Sequence, residues 1–105
     1  MKKIAILTVL LVTLIVLGCQ RPQGGLYSII YHDNGSTSGF SPEDSNKYTT
    51  GMEAIVLGQN SLVKDGYKFL HWNTKADGTG DQYVAGDKIT VGYLTIFLYA
   101  IWELE

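Results

Sequence analysis

The sequence predicts a small, mostly β domain with one or two short helical turns, set behind an apolar N-terminal segment. Three observations carry this. β-Branched and aromatic residues gather in short runs such as Tyr27–His32, Met52–Leu57 and Tyr67–Asn73. Turn signals bound those runs, Asn34-Gly35 after the first and Gly51 and Gly66 before the second and third. The last run, Leu94–Glu103, alternates with apolar residues on both faces, the pattern of a strand with neighbours on either side.

The N-terminus comes first in the chain and is of another kind. Met1-Lys2-Lys3 is basic, Ile4–Leu17 is apolar apart from Thr8 and Thr13, and Gly18-Cys19 follows. A basic start, a short apolar stretch and a small residue before the cut are the parts of a secretory signal. A membrane-crossing helix needs roughly 20 apolar residues for about 30 Å of hydrocarbon, and here the polar Gln20-Arg21 ends the run early. Val16-Leu17-Gly18-Cys19 resembles the lipobox of bacterial lipoproteins. That resemblance implies cleavage between Gly18 and Cys19 and a diacylglyceryl group on the Cys19 thiol. The expected division is a signal peptide over 1–18, a lipidated cysteine and tether over 19–25, and a folded domain over 26–105. Cys19 is the single cysteine of the chain, so no intrachain disulfide is available.

Gln20-Arg21-Pro22-Gln23-Gly24-Gly25 is polar and rich in Gly and Pro, a flexible spacer. Its length holds the domain within about 20 Å of the anchor. All ten acidic residues lie beyond Cys19, against six basic ones (Arg21, Lys47, Lys64, Lys68, Lys75 and Lys88). An acidic balance argues against nucleic acid as a partner and against an electrostatic hold on anionic lipid. Anchoring then falls to the lipid, and two or three acyl chains hold where one is marginal.

Within the domain, Tyr27–His32 is the first strand and Asn34-Gly35 its turn. Ser41-Pro42-Glu43-Asp44 carries the signs of a helix start, with a capping Ser, Pro in the first turn and acids near the end. Met52–Leu57 is the second strand, and Asn60–Lys64 a second short turn of helix stopped by Gly66. Tyr67–Asn73 is the third strand, followed by the Ala76–Gly80 turn. Gln82–Val84 and Lys88–Val91 flank Ala85-Gly86-Asp87 as a hairpin, and Leu94–Glu103 closes the chain.

These pieces, in this order, resemble the Listeria–Bacteroides repeat, the internalin-type B-repeat. The matching segments are Tyr27–Tyr31 with Asn34-Gly35, Asp44–Tyr48, Gly66–Thr74 with Ala76–Gly80, Ala85-Gly86-Asp87 and Leu98–Trp102. The resemblance implies a β-grasp-like mixed sheet with its first and last strands paired in the centre. It also implies a bacterial surface role, as a spacer or adhesion module, though family members usually occur in tandem and here there is one copy. The structural core is expected from Tyr31, Tyr67, Phe69, Trp72, Leu98 and Trp102, since a domain this small has a thin margin of stability.

The sequence departs from the family pattern at three places. His71 stands where glycine is usual, and Ile30 and Ile101 replace commonly polar residues. If the first and last strands pair, Ile30 and Ile101 lie close together on the face away from the main core, with Phe97 and Tyr99. Those four residues are the candidate interaction surface. The alternative is that the 35–50 loop folds over this face and buries it.

Few residues suggest chemistry. The two histidines, His32 and His71, stand singly in strands, and no Gly-x-Ser-x-Gly elbow is present. Asp77 and Asp81 flank a glycine turn that falls short of a calcium loop. Trp and Tyr spacing fits a packed core better than a sugar-stacking platform. The expected protein is no enzyme. It needs no metal and no cofactor beyond the lipid on Cys19. It is a membrane-anchored envelope lipoprotein whose module binds a protein or glycan, or else a purely structural spacer or assembly subunit. Gln20 in place of Asp after the cysteine points to the outer membrane or cell surface if the cell has two membranes, otherwise to the outer face of the plasma membrane.

Overall fold

A computed structural model describes residues 25–105. The expected signal peptide, the expected cleavage site Gly18-Cys19 and most of the expected tether lie outside them. Six strands form: β1 (Ile29–His32), β2 (Glu53–Ile55), β3 (Tyr67–Asn73), β4 (Gln82–Tyr83), β5 (Lys88–Thr90) and β6 (Ile96–Leu104). β1, β6, β3 and β4 make one sheet in that order, and β2 and β5 make a second.

The main sheet is mixed. β1 runs parallel to β6, with Ile29 opposite Ile96 and His32 opposite Tyr99. β3 runs antiparallel to β6, with Phe69 opposite Trp102, Trp72 opposite Ala100 and a register shift between Phe69 and His71. The last strand is therefore interior, as its two apolar faces predict. The first strand pairs with it as expected but forms the edge of the sheet, not its centre.

Strand alternation selects the core. On β1, Ile29 and Tyr31 are buried while Ile30 and His32 are exposed. On β6, Leu98 and Ala100 are buried beneath Trp72 of β3. Ala54 and Ile89, opposite each other in the small sheet, close the core from the far side with Val56, Leu62 and Val91. Each of the valine, leucine and isoleucine side chains contributes about 1.5–3 kcal/mol on burial. Phe69 and Trp102 pack against this cluster from its margin. Tyr67, expected in the core, is exposed at the start of β3, where the Lys64 ammonium sits 4.2 Å from its ring centre. It is the first residue past Gly66 and lies at the end of the sheet, beyond the aromatic cluster.

The expected helical turns are absent, and local chemistry explains why. Ser41 precedes a proline, which disfavours helical backbone at that residue. The Ser61 hydroxyl, not Ser41, accepts the Phe40 N–H at 2.9 Å. Asp44 turns inward, accepting the Asn46 N–H at 2.9 Å and the Tyr48 hydroxyl at 2.6 Å. Asn60 adopts a left-handed φ of 58°, which interrupts any helix there, and donates its amide to the Phe40 carbonyl. Val63 instead pairs with Ser38 as an isolated bridge.

The expected hairpin of the 82–91 segment is also replaced. Its turn exists, with the Val84 N–H bonded to the Asp87 carboxylate at 2.8 Å and the Asp87 N–H to the Val84 carbonyl. The flanking strands part company, however. β4 joins β3 in the main sheet and β5 joins β2 in the small one. The turn is thus a corner between sheets.

Candidate interaction surface

The side of the main sheet away from the core carries the residues singled out from the sequence. Ile30 and Phe97 stand directly opposite each other on β1 and β6. They are 42% and 50% exposed, so this pair forms an open apolar step. His32 and Tyr99 are the next pair along, with ring centres 5.2 Å apart. His32 Nδ1 accepts the Asn34 N–H at 3.2 Å and lies 3.7 Å from an Asp33 carboxylate oxygen.

Ile101 does not join Ile30. It lies four residues beyond Phe97 on β6, about 13 Å away along the strand, past the end of β1 and opposite His71. Tyr99 and Ile101 are half-buried. Their cover is the 74–81 loop, not the 35–50 loop. A Cβ built on Gly78 would lie 3.8 Å from Ile101 Cδ1. The 35–50 loop instead runs beside the β1 edge, where Phe40–Asp44 face Ile29–Tyr31 across a groove of about 440 Å³.

Asn73 holds the covering loop in place. It is the one buried polar residue among those described. Its Oδ1 accepts the N–H groups of Lys75 and Gly80, both at 2.9 Å, and its Nδ2 donates to the carbonyls of Gly78 and Gly80. Asn34, in a left-handed conformation with φ 51°, ties the same loop to the sheet. Its Nδ2 donates to the Ala76 carbonyl at 2.9 Å and the Ala100 carbonyl at 2.8 Å. At the loop tip, Asp77 accepts the hydroxyl and N–H of Thr79, which hold its carboxyl below the usual range. Nothing in the strand pattern pointed to Asn73 or Asn34 as clamps. Their place beside turns, where Asn side chains bond nearby backbone, was the available signal.

Beneath this face lies the aromatic core. Trp72 meets Tyr31 edge-on at 4.9 Å and Phe69 at 5.1 Å, and Phe69 meets Trp102 at 5.9 Å. The Trp102 indole N–H donates to the Asp33 carbonyl at 3.0 Å, pinning the end of β1 against β6. Burial raises the Tyr31 phenol above its ordinary range against the lowering effect of the Leu57 N–H. The hydrogen bond to Asp44 raises that of Tyr48. Among the described residues, no three of His, Cys, Asp and Glu stand together where a metal ion would be held.

The fold and its outer face define a small mixed-sheet module built on aromatic residues, with an apolar step exposed at one edge. The Listeria-Bacteroides repeat domain model matches residues 27–101, and the chain belongs to that family. Over 76 residues the chain is 38% identical to a protein of Evansella cellulosilytica named "Putative membrane protein", covering 72% of this chain and 11% of that one. A second protein of that organism, named "Putative Gly-rich membrane protein", is 41% identical over 73 residues, 59% of this chain and 8% of its own length. The chain thus spans about a tenth of the length of these curated relatives. No solved structure matches it.

Proposed function

We propose that this protein is a membrane-anchored envelope lipoprotein presenting a single non-catalytic repeat module for interaction with a protein or glycan. The observation that carries the interaction reading is the Ile30–Phe97 step. Two apolar side chains lie side by side and exposed on neighbouring strands of the main sheet. Membrane association is supported by the names of the relatives and by the lipobox-like Val16-Leu17-Gly18-Cys19. On this reading Cys19 carries a diacylglyceryl group, Gly18-Cys19 is the cleavage site, and the module faces outward from the bilayer.

Two measurements test it. Mass spectrometry of the mature N-terminus should find a diacylglyceryl cysteine, and a free thiol or an intact Met1 would refute the anchor. Capture from envelope extracts and glycan arrays should depend on Ile30 and Phe97. If Ile30→Thr with Phe97→Thr leaves every captured partner in place, this face is not the binding surface and the protein acts as a spacer.

A further inference from the structure

The two ends of the domain differ in kind. β1 and β6 run parallel, so both begin at the end where the tether enters. The Ile96 N–H bonds to the Ser28 carbonyl at 2.9 Å, and the Ser28 N–H to the Thr95 hydroxyl at 3.2 Å. The ladder ends there: Tyr27 pairs with Tyr48, and Tyr93 and Leu94 form a bend just before β6, at the same end of the sheet as Leu26. Leu26, Tyr93 and Leu94 are 64%, 72% and 77% exposed. Met52 is exposed at the same end, where its carbonyl accepts the Val91 N–H. The two loops that meet there, Thr49–Met52 and Gly92–Thr95, contain no charged residue. They are tied together by the Gly51 N–H on the Val91 carbonyl and the Thr50 hydroxyl on the Gly92 carbonyl. Behind Tyr93 and Leu94 opens a groove of about 470 Å³ that Tyr83, Ile89 and Ile96 also line.

The opposite end is charged. Lys68 and Glu103 form an ion pair of 3.2 Å there, and the Glu105 N–H bonds to the Gly66 carbonyl beside Lys64 and Asp65.

We infer that the Leu26–Tyr93–Leu94 end rests in the interface of the bilayer to which the chain is anchored. The inference rests on the lipid anchor of the proposed function. The chain outside the described residues leads to Cys19 from this end, and the stretch from Gln20 to Gly25 spans at most about 20 Å. An apolar end with a tyrosine at its tip, and with the Lys47 ammonium held beside it on the Ser28 hydroxyl at 2.8 Å, suits the headgroup boundary, where amphipathic rings settle and a lysine reaches the polar side. The domain as a whole is acidic and is not drawn to anionic lipid, so apolar contact is what docks it, with Lys47 the cation at this end. Docking at this end turns the charged end outward and leaves the Ile30–Phe97 step on the flank.

The test uses the full processed chain, in which a lipidated Cys19 leaves no free thiol. Leu94→Cys and, at the opposite end, Leu104→Cys each receive an environment-sensitive fluorophore. Both proteins are then bound to vesicles of phosphatidylethanolamine and phosphatidylglycerol. Position 94 should shift to the blue, lose most of its quenching by iodide and be quenched by spin-labelled lipid, while position 104 should keep its solution behaviour. If the protein floats with the vesicles and position 94 stays as open to iodide as position 104, this inference falls and the anchor stands. If the protein does not float and Cys19 itself takes the label, the anchor falls and the inference with it. Shielding of position 94 that follows protein concentration and not lipid would assign a contact between copies and overturn the bilayer.

Discussion

Tyr31 and Trp72 hold the two backbone groups of the same residue. The Leu57 N–H donates to the Tyr31 hydroxyl and the Leu57 carbonyl accepts the Trp72 indole N–H, each at 2.9 Å. Leu57 lies just past β2, so this double grip ties the small sheet to the main one. Trp72→Phe should leave a shielded carbonyl unpaired and cost about 1–3 kcal/mol beyond the lost volume. Tyr31→Phe should orphan the N–H at a similar cost. Because both act on Leu57, the double variant should lose less than the sum of the singles, as a denaturant double-mutant cycle will measure.

The two tryptophans should separate in truncation. Trp72 is fully enclosed and Trp102 sits at the margin of the core. Trp72→Ala should cost about 3–5 kcal/mol, enough to unfold a domain this small. Trp102→Ala should cost less and leave a folded protein whose remaining emission, from Trp72, is blue-shifted. Equal losses would show that Trp102 is as enclosed as Trp72.

Two glycines with the same left-handed backbone should respond differently. Gly51 has φ 92° and open space where a Cβ would stand. Gly51→Ala should therefore cost about 1–2 kcal/mol, the backbone strain alone. Gly39 has φ 84° and a Cβ there would collide with the Ser61 carbonyl. Gly39→Ala should cost more and break the Ser38–Val63 bridge, visible as faster amide exchange at Val63.

Stability should fall on the alkaline side. The folded phenols of Tyr31 and Tyr48 titrate above the ordinary value of 10.0. A raised folded pKa contributes stability that is complete below the unfolded value and is lost as pH climbs through the folded one. Melting temperature should thus fall with rising pH above about 10. Tyr48→Phe, which removes the bond to Asp44, should make that decline shallower.

The outer face should divide at Tyr99. Ile30→Thr should change stability by no more than about 0.5 kcal/mol, as at an exposed site. Ile101→Gln should cost more, roughly 0.5–3 kcal/mol, because the 74–81 loop rests on it. Equal, negligible effects in thermal melts would mean the loop does not cover Ile101.

The sequence by itself determined the strands and much of the core. Alternation along Ile29–His32 and Ile96–Leu104 settles which side chains share a face, since the period of a strand is two whatever it pairs with. The third strand, Tyr67–Asn73, was legible in full, bounded by Gly66 and the Ala76–Gly80 turn. Apart from the pairing of the first and last strands, which the family resemblance implied, pairing was not legible, because it depends on residues far apart in the chain. The 82–91 segment has the local chemistry of a hairpin, and only competition from β3 and β2 sends its halves to different sheets. The helix signals at 41–44 and 60–64 yielded to other bonds: Ser61 takes the Phe40 N–H from 21 residues away, and Asp44 takes the nearby Tyr48 hydroxyl. Ile30 and Ile101 could be assigned to one face from alternation, but their separation is set by where β1 ends against β6. The apolar end at the start of β1 and β6 is likewise a product of tertiary structure. Leu26, Met52 and Leu94 are scattered along the chain, and two separate pairings, β1 with β6 and Met52 with Val91, put them at one end.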